Sequence, residues 1–488
     1  MGTSAAGAAS AASTPAPDAL LREIAEYVVD YRLRDTASLD AARLSLFDTL
    51  ACAIEALGQP ACRRLLGPIV PGTVVPNGAR LPGTTHVLDP AKATFDLGCM
   101  IRWLDYNDAC SGALTIHPSD AWAGVLMLGD YLSRGRAVAG AEPLRMSDML
   151  DAGIRVYEIQ GALCAHNDFR AHGIDQPLLA RVAVAAVATG MLGGSADQVM
   201  NAVSNAFVET TLLAIRHAPN IGSRKNWATA QASEAGVRLA MMAMQGEDGY
   251  PWILSAKALG FHDSRFGGDA LRLDGALGEG VIGRCMFKLV PAGMHGQTAG
   301  ECAFVLHPRV VSRVDEIEHI ALHCHRSLAR IMDKPGALRN SADRDHCVQY
   351  IVAVGLLHGR IGPDDYSDAF AAADPRIDGL RARMTLREDP RYTDGFFDPA
   401  RRSSANAVEV FFRDGTTSGR VEREYPLGHP RRRGEALPAL RDKFEHAMRG
   451  TPAPRREQLL ALRDDPDALD RMPVHEFIDG LADPWRAC

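Results

Sequence analysis

Residues 176–192 read QPLLARVAVAAVATGML, and residues 196–213, after the break at Gly193-Gly194, read ADQVMNAVSNAFVETTLL. Both segments are long, rich in alanine and apolar on more than one face, which is typical of helices buried against other helices. Apolar residues recur at helical spacing over most of the chain between residues 18 and 249. The pattern therefore predicts a large all-helical domain.

The pattern changes after Tyr250-Pro251, where short strand-like runs alternate with helical ones. Asp414-Gly415, flanked by two alternating apolar runs, is a hairpin signal. We predict strands over 281–289, 314–324 and 380–386, helices over 293–306 and 343–357, and hairpin strands over 406–413 and 417–425. Strands mixed with helices in this order indicate an α+β unit. The predicted fold class is mainly α with a smaller α+β domain.

The composition excludes several classes of protein. The 488 residues carry 53 basic and 60 acidic side chains, for a net charge of −7. We therefore expect neither nucleic acid nor a membrane as a partner, because both require a basic field. Residues 1–17 are almost all Ala, Ser, Thr, Gly and Pro, lack the features of a secretion or mitochondrial signal, and are predicted to be a disordered tail.

The ten cysteines are scattered, and none forms a CxxC pair. This scatter is typical of buried thiols in a reducing compartment rather than of a disulfide frame or a zinc knuckle. It also disfavours an iron–sulfur cluster, whose cysteine ligands are usually grouped. We expect a cytoplasmic protein.

A first candidate site combines RWLDYND at 102–108 with HPSD at 117–120. Ser119 is a plausible N-cap for the apolar helix that follows, which would place His117 beside a helix N-terminus. The positive end of the helix dipole favours neutral imidazole, which can act as a base, and Asp105 could orient it. The alternative is a capping loop with a hydrogen-bonded histidine.

A second candidate site lies in RHAPNIGSRKNW at 216–227. If a helix begins after Ser223, Arg224 and Lys225 occupy its first turn, where the dipole makes cations unfavourable. A local rule broken in this way often marks a functional site, and a helix N-terminus with Arg, Lys and His is a strong anion pocket. The alternative is a solvated basic loop.

The third candidate is Lys288, which interrupts an apolar run shortly before His295. A lysine at the edge of a strand can protect that strand from aggregation. A buried lysine would instead be costly unless an anion faces it. Both interpretations are open at this point.

Three other patterns are weaker. Gly278–Gly283 matches GxGxxG but neither follows a predicted strand nor leads directly into a helix, so a dinucleotide site is disfavoured. His319, His323 and His325 would lie on one polar face of a predicted strand, which explains their spacing better than a zinc site does. The spacing of one further possible metal-ligand set matches no known pattern: Asp105, Asp108, Asp120 and His117.

Taken together, these stretches resemble the MmgE/PrpD family. Further matching strings are YEIQG at 157–161, SADRDHCVQY at 341–350, RSSAN at 402–406 and GHPRRR at 428–433. The resemblance implies a homodimer whose all-helical domain, residues 18–270, is completed by residues 401–488. An α+β lid over 271–400 is inserted between these parts.

The resemblance also implies a hydro-lyase that dehydrates 2-methylcitrate, and possibly citrate, in propionate catabolism. Side-chain acid–base chemistry would carry the reaction, with no cofactor and no metal. The expected catalytic residues are His117, Asp105, Lys225, Lys288 and Tyr350. The expected substrate-binding residues are Arg224, His217, His295, Arg216 and His346.

Two other functions stay open. Ala109 stands where the family often has Thr, and residues 110–116 depart from the usual stretch before His117. These differences favour, as the alternative, a decarboxylase of cis-aconitate or a similar tricarboxylate. The remaining possibility is a catalytically inactive dimeric scaffold.

Overall fold

The alanine-rich segments form the centre of a helical bundle in the computed structural model, which describes residues 16–216, 221–273 and 275–482. Helix α7 begins at Pro177, where the missing N–H costs no hydrogen bond, and it is buried from there through Thr189. It packs against the helices that precede and follow it as well as against α9. The first part of the chain forms α1 Ala19–Asp30, α2 Thr36–Glu55, α3 Pro60–Arg63, α4 Pro90–Arg102, α5 Trp122–Val138, α6 Met146–His166, α7 Pro177–Met191, α8 Ala196–Ala206, α9 Arg224–Met244, α10 Phe261–Arg265 and α11 Val281–Arg284.

Helix α9 lies between α4 and α7, and small residues permit the close approach. A methyl group added at Gly98 of α4 would lie 2.8 Å from the Ala230 methyl group. One added at Gly236 of α9 would lie 3.0 Å from the Arg181 carbonyl oxygen of α7. This packing fixes the first turn of α9, which carries Lys225, close to the loop that leaves α4.

The smaller domain is built on a mixed sheet of order β6-β5-β7-β8. Strand β5 pairs in parallel with β6, with Ile320 opposite Met384, and antiparallel with β7. Its apolar face packs with α12 and α15 into a second hydrophobic cluster. The elements are α12 Gln297–Val310, β5 Ile317–Cys324, α13 Arg326–Met332, α14 Ser341–Arg344, α15 Val348–His358, α16 Asp368–Ala373, α17 Arg376–Arg381, β6 Met384–Glu388, α18 Pro390–Phe397, β7 Asn406–Phe412 and β8 Val421–Arg423.

The end of the chain returns to the helical bundle. There α19 packs on α2, and α22 packs on α5. These helices are α19 Arg433–Ala447, α20 Ala453–Asp464, α21 Pro466–Arg471 and α22 Val474–Leu481. Two short antiparallel ladders complete the described structure, β1 Ala79–Arg80 with β2 Val87–Leu88 and β3 Cys110–Ser111 with β4 Thr115–Ile116.

The fold class agrees with the prediction, whereas some element boundaries differ. The predicted strand over 281–289 is wrong, because Glu158 accepts the N–H groups of Gly278 and Val281 at 3.0 Å each and so holds the start of α11. The helix predicted to reach residue 213 ends at Ala206, since Thr211 turns to accept the Asp175 N–H at 2.8 Å. The strands predicted over 314–324 and 380–386 begin later than expected, at residues 317 and 384.

The predicted tail falls mostly outside the described residues, which begin at residue 16. Within the described ranges, no helix combines the length and the apolar composition that a membrane crossing requires.

Two glycines on neighbouring helices predict opposite changes in stability. A methyl group at Gly153 of α6 would lie 2.2 Å from the Trp122 ring, whereas one at Gly135 of α5 meets nothing within 4 Å. We expect Gly153→Ala to lower the free energy of unfolding by about 1–3 kcal/mol through overpacking. Gly135→Ala should raise it by about 0.5–1 kcal/mol, because alanine loses less backbone entropy in a helix.

Denaturant unfolding of both variants measures these changes. Equal stabilities for the two variants would contradict this view of the α5–α6 contact.

Candidate active site

A narrow cavity lies between the helical bundle and the sheet domain. The bundle supplies its floor through the loop after α4, and the sheet domain closes it from the other side with the turn before α12 and with α13. The described residues that line it are Arg102, Asp105, Leu114, Thr115, His117, Arg170, Asp175, Gln176, Leu213, Arg216, Gly293, Met294, His295, Ile331, Met332 and His346.

Asp105 is the centre of the charge arrangement beneath this cavity. Its side chain is 1% exposed, and three cations converge on its carboxylate. Arg102 Nη1 donates to Oδ1 at 2.7 Å, Lys225 Nζ to Oδ2 at 3.2 Å, and Lys288 Nζ to Oδ1 and to the Asp105 carbonyl oxygen. The backbone of Asp105 adopts φ +49°, a left-handed conformation that is uncommon for residues other than glycine.

The cations determine the protonation state of Asp105. Burial alone would raise the pKa of Asp105, but Arg102, Lys288 and Lys225 outweigh burial and hold that pKa well below its usual range. Burial lowers the pKa of Lys288 to about 8, although the attraction of Asp105 opposes this change. At neutral pH the carboxylate is therefore charged, and Lys288 is still mostly protonated.

Lys225 links Asp105 to a second carboxylate and to an imidazole. Its Nζ lies 2.8 Å from both Asp345 carboxylate oxygens and 3.1 Å from His346 Nδ1. The acidic and imidazole groups here, Asp105, Asp345 and His346, could together hold a metal ion. The Lys225 ammonium lies within hydrogen-bonding distance of all three, so it already supplies positive charge to this set of donors.

His117 has one fixed nitrogen. Its Nδ1 lies 2.6 Å from the Asp108 carbonyl oxygen, which can only accept, so the proton resides on Nδ1 and Nε2 carries the lone pair. Burial, followed by Arg102 and Lys288, lowers the pKa of His117 well below its usual value. The side chain is thus a neutral imidazole with an acceptor nitrogen, as a general base requires.

The neighbourhood of Asp108 positions His117. The Asp108 carboxylate accepts Tyr157 Oη at 2.7 Å and both the backbone N–H and the hydroxyl of Ser119. The prediction that Ser119 caps the following helix is therefore wrong, because its hydroxyl is engaged by Asp108 and the residue lies inside a 3-10 turn before α5. His117 itself precedes that turn.

His295 lines the cavity from the turn before α12, and its ring centroid lies 5.4 Å from that of Phe396. Burial, followed by repulsion from His325 and Arg170, lowers the pKa of His295 well below its usual value. Its Nδ1 is buried without a hydrogen-bond partner among the described residues. Its carbonyl oxygen accepts Asn406 Nδ2 at 3.0 Å, so strand β7 helps to position the turn.

Three arginines and two aspartates line the cavity wall: Arg102, Arg170, Arg216, Asp105 and Asp175. Arg216 Nε donates to Asp175 Oδ2 at 2.7 Å. Its Nη2 is buried and has no hydrogen-bond partner within the described ranges. An unpaired buried donor on a wall with an excess of cations favours an anionic ligand.

The structure places the predicted site residues in three groups. Asp105, His117, Arg216, His295 and His346 line the cavity. Lys225 and Lys288 lie behind it, 1% and 0% exposed, so the solvated-loop and edge-strand interpretations of these two lysines are wrong. The third group consists of the remaining predicted residues, Arg224, Tyr350 and His217.

Arg224 and Tyr350 lie outside the cavity lining. Arg224 is exposed over the Trp227 ring and donates to Gln231 at 3.0 Å. Tyr350 is buried within the sheet domain, where its hydroxyl donates to the Asp365 carbonyl oxygen at 2.6 Å. His217 falls outside the described residues.

The sequence reasoning missed Arg170, Asp175 and Gln176 on the cavity wall. Gln176 Oε1 accepts the His117 backbone N–H at 3.0 Å, so it fixes the chain at the proposed base. The signals in the sequence were its position at the start of the alanine-rich helix and the histidine that the family resemblance leads us to expect there. Arg170 belongs to a short 3-10 turn, which carries no motif.

Lys443 of α19 holds the backbone on both sides of the charge cluster. Its Nζ donates to the carbonyl oxygens of Tyr106 at 2.9 Å and Lys288 at 3.2 Å, and to Asp48 Oδ1 at 2.7 Å. Burial lowers the pKa of Lys443, but the attraction of Asp48 outweighs burial and raises that pKa above its ordinary value. The C-terminal helices thereby fix the relative positions of Asp105 and Lys288.

The buried lysine can be observed directly, because the chain contains only six lysines. With ¹³C at the lysine ε-carbon, we expect the Lys288 signal, identified by its loss in Lys288→Arg, to titrate near pH 8. Asp105→Asn should lower the pKa further, since the carboxylate favours the charged ammonium. The exposed Lys257 provides the internal control. A Lys288 signal that titrates at the ordinary value of a solvated lysine, about 10.4, would contradict the described burial.

Comparison with known proteins places this arrangement in a family. The model of the MmgE/PrpD N-terminal domain matches residues 22–274, and that of the MmgE/PrpD C-terminal domain matches residues 290–465. A 2-methylcitrate dehydratase of Cupriavidus necator is 46% identical over 96% of this chain and 98% of its own length. That of Salmonella typhimurium (strain LT2) is 45% identical over 94% and 96%, respectively. The mitochondrial 2-methylcitrate dehydratase of Yarrowia lipolytica is 41% identical over 95% and 90%. The chain belongs to the MmgE/PrpD family.

Proposed function

We propose that this protein is a hydro-lyase that dehydrates 2-methylcitrate to 2-methyl-cis-aconitate. Relatives named 2-methylcitrate dehydratase, which are 44–46% identical over nearly the full chain, support the substrate and the reaction. The observation in the structure that supports the chemistry is a neutral imidazole, His117, beside a cavity whose wall is rich in arginine. Dehydration requires both a base and cations that bind carboxylates.

His117 removes the proton. In the proposed reaction, Nε2 takes a proton from the carbon next to a substrate carboxylate, and negative charge develops on that carboxylate. Arg102, which is 1% exposed and lines the cavity next to His117, is placed to stabilise this charge. A single preorganised donor of this kind contributes about 3–4 kcal/mol to lowering a barrier.

Arg170 and Arg216 bind the remaining carboxylates. Arg216 has a buried Nη2 without a partner in the described parts of the chain, while Asp175 holds its Nε. Lys225 and Lys288 act through Asp105, because they lie behind the wall. They are positioning residues in this proposal, together with Asp345, which holds Lys225.

His295 hydrogen-bonds the departing hydroxyl, which takes up a proton and leaves as water, while His117 returns the proton that it removed to solvent. As a neutral imidazole it can donate a hydrogen bond from a ring nitrogen, as a histidine of lowered pKa can do at a developing oxyanion. The Tyr350 hydroxyl is engaged with Asp365, which favours His295 for this role. His346, whose pKa burial lowers to about 4, completes a wall of neutral imidazoles.

We propose a cytoplasmic homodimer. The resemblance to the family supports the dimer, and sedimentation velocity would measure it. All nine cysteines within the described ranges are free thiols, which supports a reducing compartment.

The proposed function predicts a specific product. Incubation with 2-methylcitrate should yield an unsaturated tricarboxylate, followed by ultraviolet absorbance and identified by mass spectrometry. His117→Ala should lower turnover about 10²–10⁴-fold, because it removes the base. The matched control is His319→Ala on β5. The His319 imidazole hydrogen-bonds Thr385 on the neighbouring strand β6 and does not line the cavity, so this change should leave turnover unchanged.

Release of carbon dioxide, or an unchanged rate in His117→Ala, would contradict the proposal. Decarboxylation would favour the alternative function, a decarboxylase of cis-aconitate or a similar tricarboxylate. Absence of product and of any citrate-induced thermal shift would favour the inactive scaffold. The proposed steps use no metal, so treatment with EDTA should leave turnover unchanged.

A further inference from the structure

Two thiols outside the proposed chemistry face each other beside the cavity. Ala109 and Met286 exchange both backbone hydrogen bonds, with N–O distances of 2.9 and 2.8 Å. Cys110 follows Ala109 and Cys285 precedes Met286, so the two cysteines lie opposite each other in this antiparallel pairing. Both are buried and free.

The backbone geometry suits a cross-strand disulfide. Next to a hydrogen-bonded antiparallel pair lies a non-hydrogen-bonded pair, whose Cα atoms are about 4.5 Å apart. A disulfide requires Cα atoms at about 4.4–6.8 Å. Cys285 has extended backbone where it follows α11, as this pairing requires. Cys110 uses its own backbone groups on the opposite side, where it pairs with Ile116.

Cys110 is set apart from the other described cysteines by its environment. It lines a second cavity behind the β3–β4 hairpin, together with Cys164, Arg284 and Arg402. The neighbouring Cys285 thiol, and then the charges of Arg284 and Arg402, lower the pKa of Cys110 despite burial. Burial instead raises the pKa of the other eight thiols in the described ranges. The reactive thiolate is thus favoured at Cys110, with Cys285 positioned to resolve it.

We propose that Cys110 and Cys285 form a peroxide-sensitive thiol pair that closes to a reversible intramolecular disulfide. The geometry assigns Cys110 as the attacking thiol, because it lines a cavity, and Cys285 as the resolving thiol, because the Ala109–Met286 pairing places it opposite Cys110. Hydrogen peroxide is the oxidant.

The chemistry balances with peroxide alone. The Cys110 thiolate attacks one peroxide oxygen, the O–O bond breaks, and the sulfenic acid forms with release of one water after protonation. The Cys285 sulfur then attacks the Cys110 sulfur, displacing hydroxide, which takes the Cys285 proton to form a second water. Two thiols lose two electrons in total, and one peroxide is reduced to two waters.

The disulfide would act on the site through the backbone, and this consequence rests on the proposed function. Cys110 follows Asp108 by two residues, and the Asp108 carbonyl oxygen holds His117 Nδ1 at 2.6 Å. Cys285 precedes Lys288 by three residues. The disulfide draws the two Cβ atoms to about 3.8 Å. We therefore expect the hydrogen bond to His117 to be disturbed.

The test uses the full-length protein treated with hydrogen peroxide, followed by alkylation of free thiols and non-reducing peptide mass spectrometry. We expect a crosslinked peptide pair containing Cys110 and Cys285, lighter by two hydrogens than the free peptides and lost on treatment with dithiothreitol. In Cys285→Ala the crosslink should be absent, and Cys110 should instead be trapped by dimedone as the sulfenic acid. Cys164→Ala, which removes the neighbouring thiol, should still form the crosslink.

Activity provides a second readout. Turnover should fall at least tenfold on oxidation of the wild type and recover with dithiothreitol, while Cys285→Ala, which cannot form the disulfide, should keep most of its turnover under the same treatment. A Cys110–Cys164 crosslink, or alkylation of Cys110 to the same extent before and after peroxide, would overturn the proposal. The crosslink is read by mass alone, so failure of the proposed function would leave this test intact.

Discussion

The convergence of Arg102, Lys225 and Lys288 on the buried carboxylate of Asp105 is the interaction on which the site depends. The three cations come from distant parts of the sequence: the end of α4, the start of α9, and the segment that leads into the sheet domain. Three buried positive charges would repel one another without a shared anion, and each would carry a desolvation cost. Asp105 therefore connects the bundle to the sheet domain and fixes the floor of the cavity, with a backbone conformation that is uncommon for residues other than glycine.

This arrangement separates two tasks. The lysines neutralise Asp105 and Asp345 beneath the wall, while the arginines and neutral imidazoles face the cavity. Because burial and nearby cations lower the pKa of His117, its imidazole is an unprotonated base at neutral pH. The same cations provide the positive field that a tricarboxylate requires. Charge and basicity thus arise from one cluster, and Lys443 holds its two backbone segments together through the carbonyl oxygens of Tyr106 and Lys288.

Local patterns in the sequence predicted what local physics determines. The alanine-rich segments form α7 and α8, and the helix expected after Ser223 begins at Arg224. Lys225 lies in the first turn of a helix, where the dipole makes a cation unfavourable, and this indicated a functional site. The structure explains the exception, because the carboxylates of Asp105 and Asp345 both contact the Lys225 ammonium. The strand expected over 281–289 is reduced to a single bridge between Met286 and Ala109, because Glu158, distant in sequence, holds α11 over residues 281–284.

The composition of the cavity wall could not be predicted from spacing. Lys225 lies 120 residues from Asp105 and Lys288 lies 183, so only the family resemblance brought them together in advance. Whether a side chain faces the cavity depends on packing: Tyr350 turns toward Asp365, and Arg224 turns outward over Trp227. Arg170 and Gln176 reach the wall through a 3-10 turn and a helix start that carry no chemical motif.

A double-mutant cycle on folding stability tests the central role of Asp105 most directly. The free energy of unfolding would be measured at pH 7 for the wild type, Asp105→Asn, Lys288→Met and the double variant. Asp105→Asn leaves Lys288 buried without its carboxylate and should cost about 3–5 kcal/mol. Lys288→Met should cost less, because Asp105 keeps Arg102 and Lys225 as partners. The double change removes the pair and should cost clearly less than the sum. Costs that add to within about 0.5 kcal/mol would show that the two charges do not interact and would contradict the account.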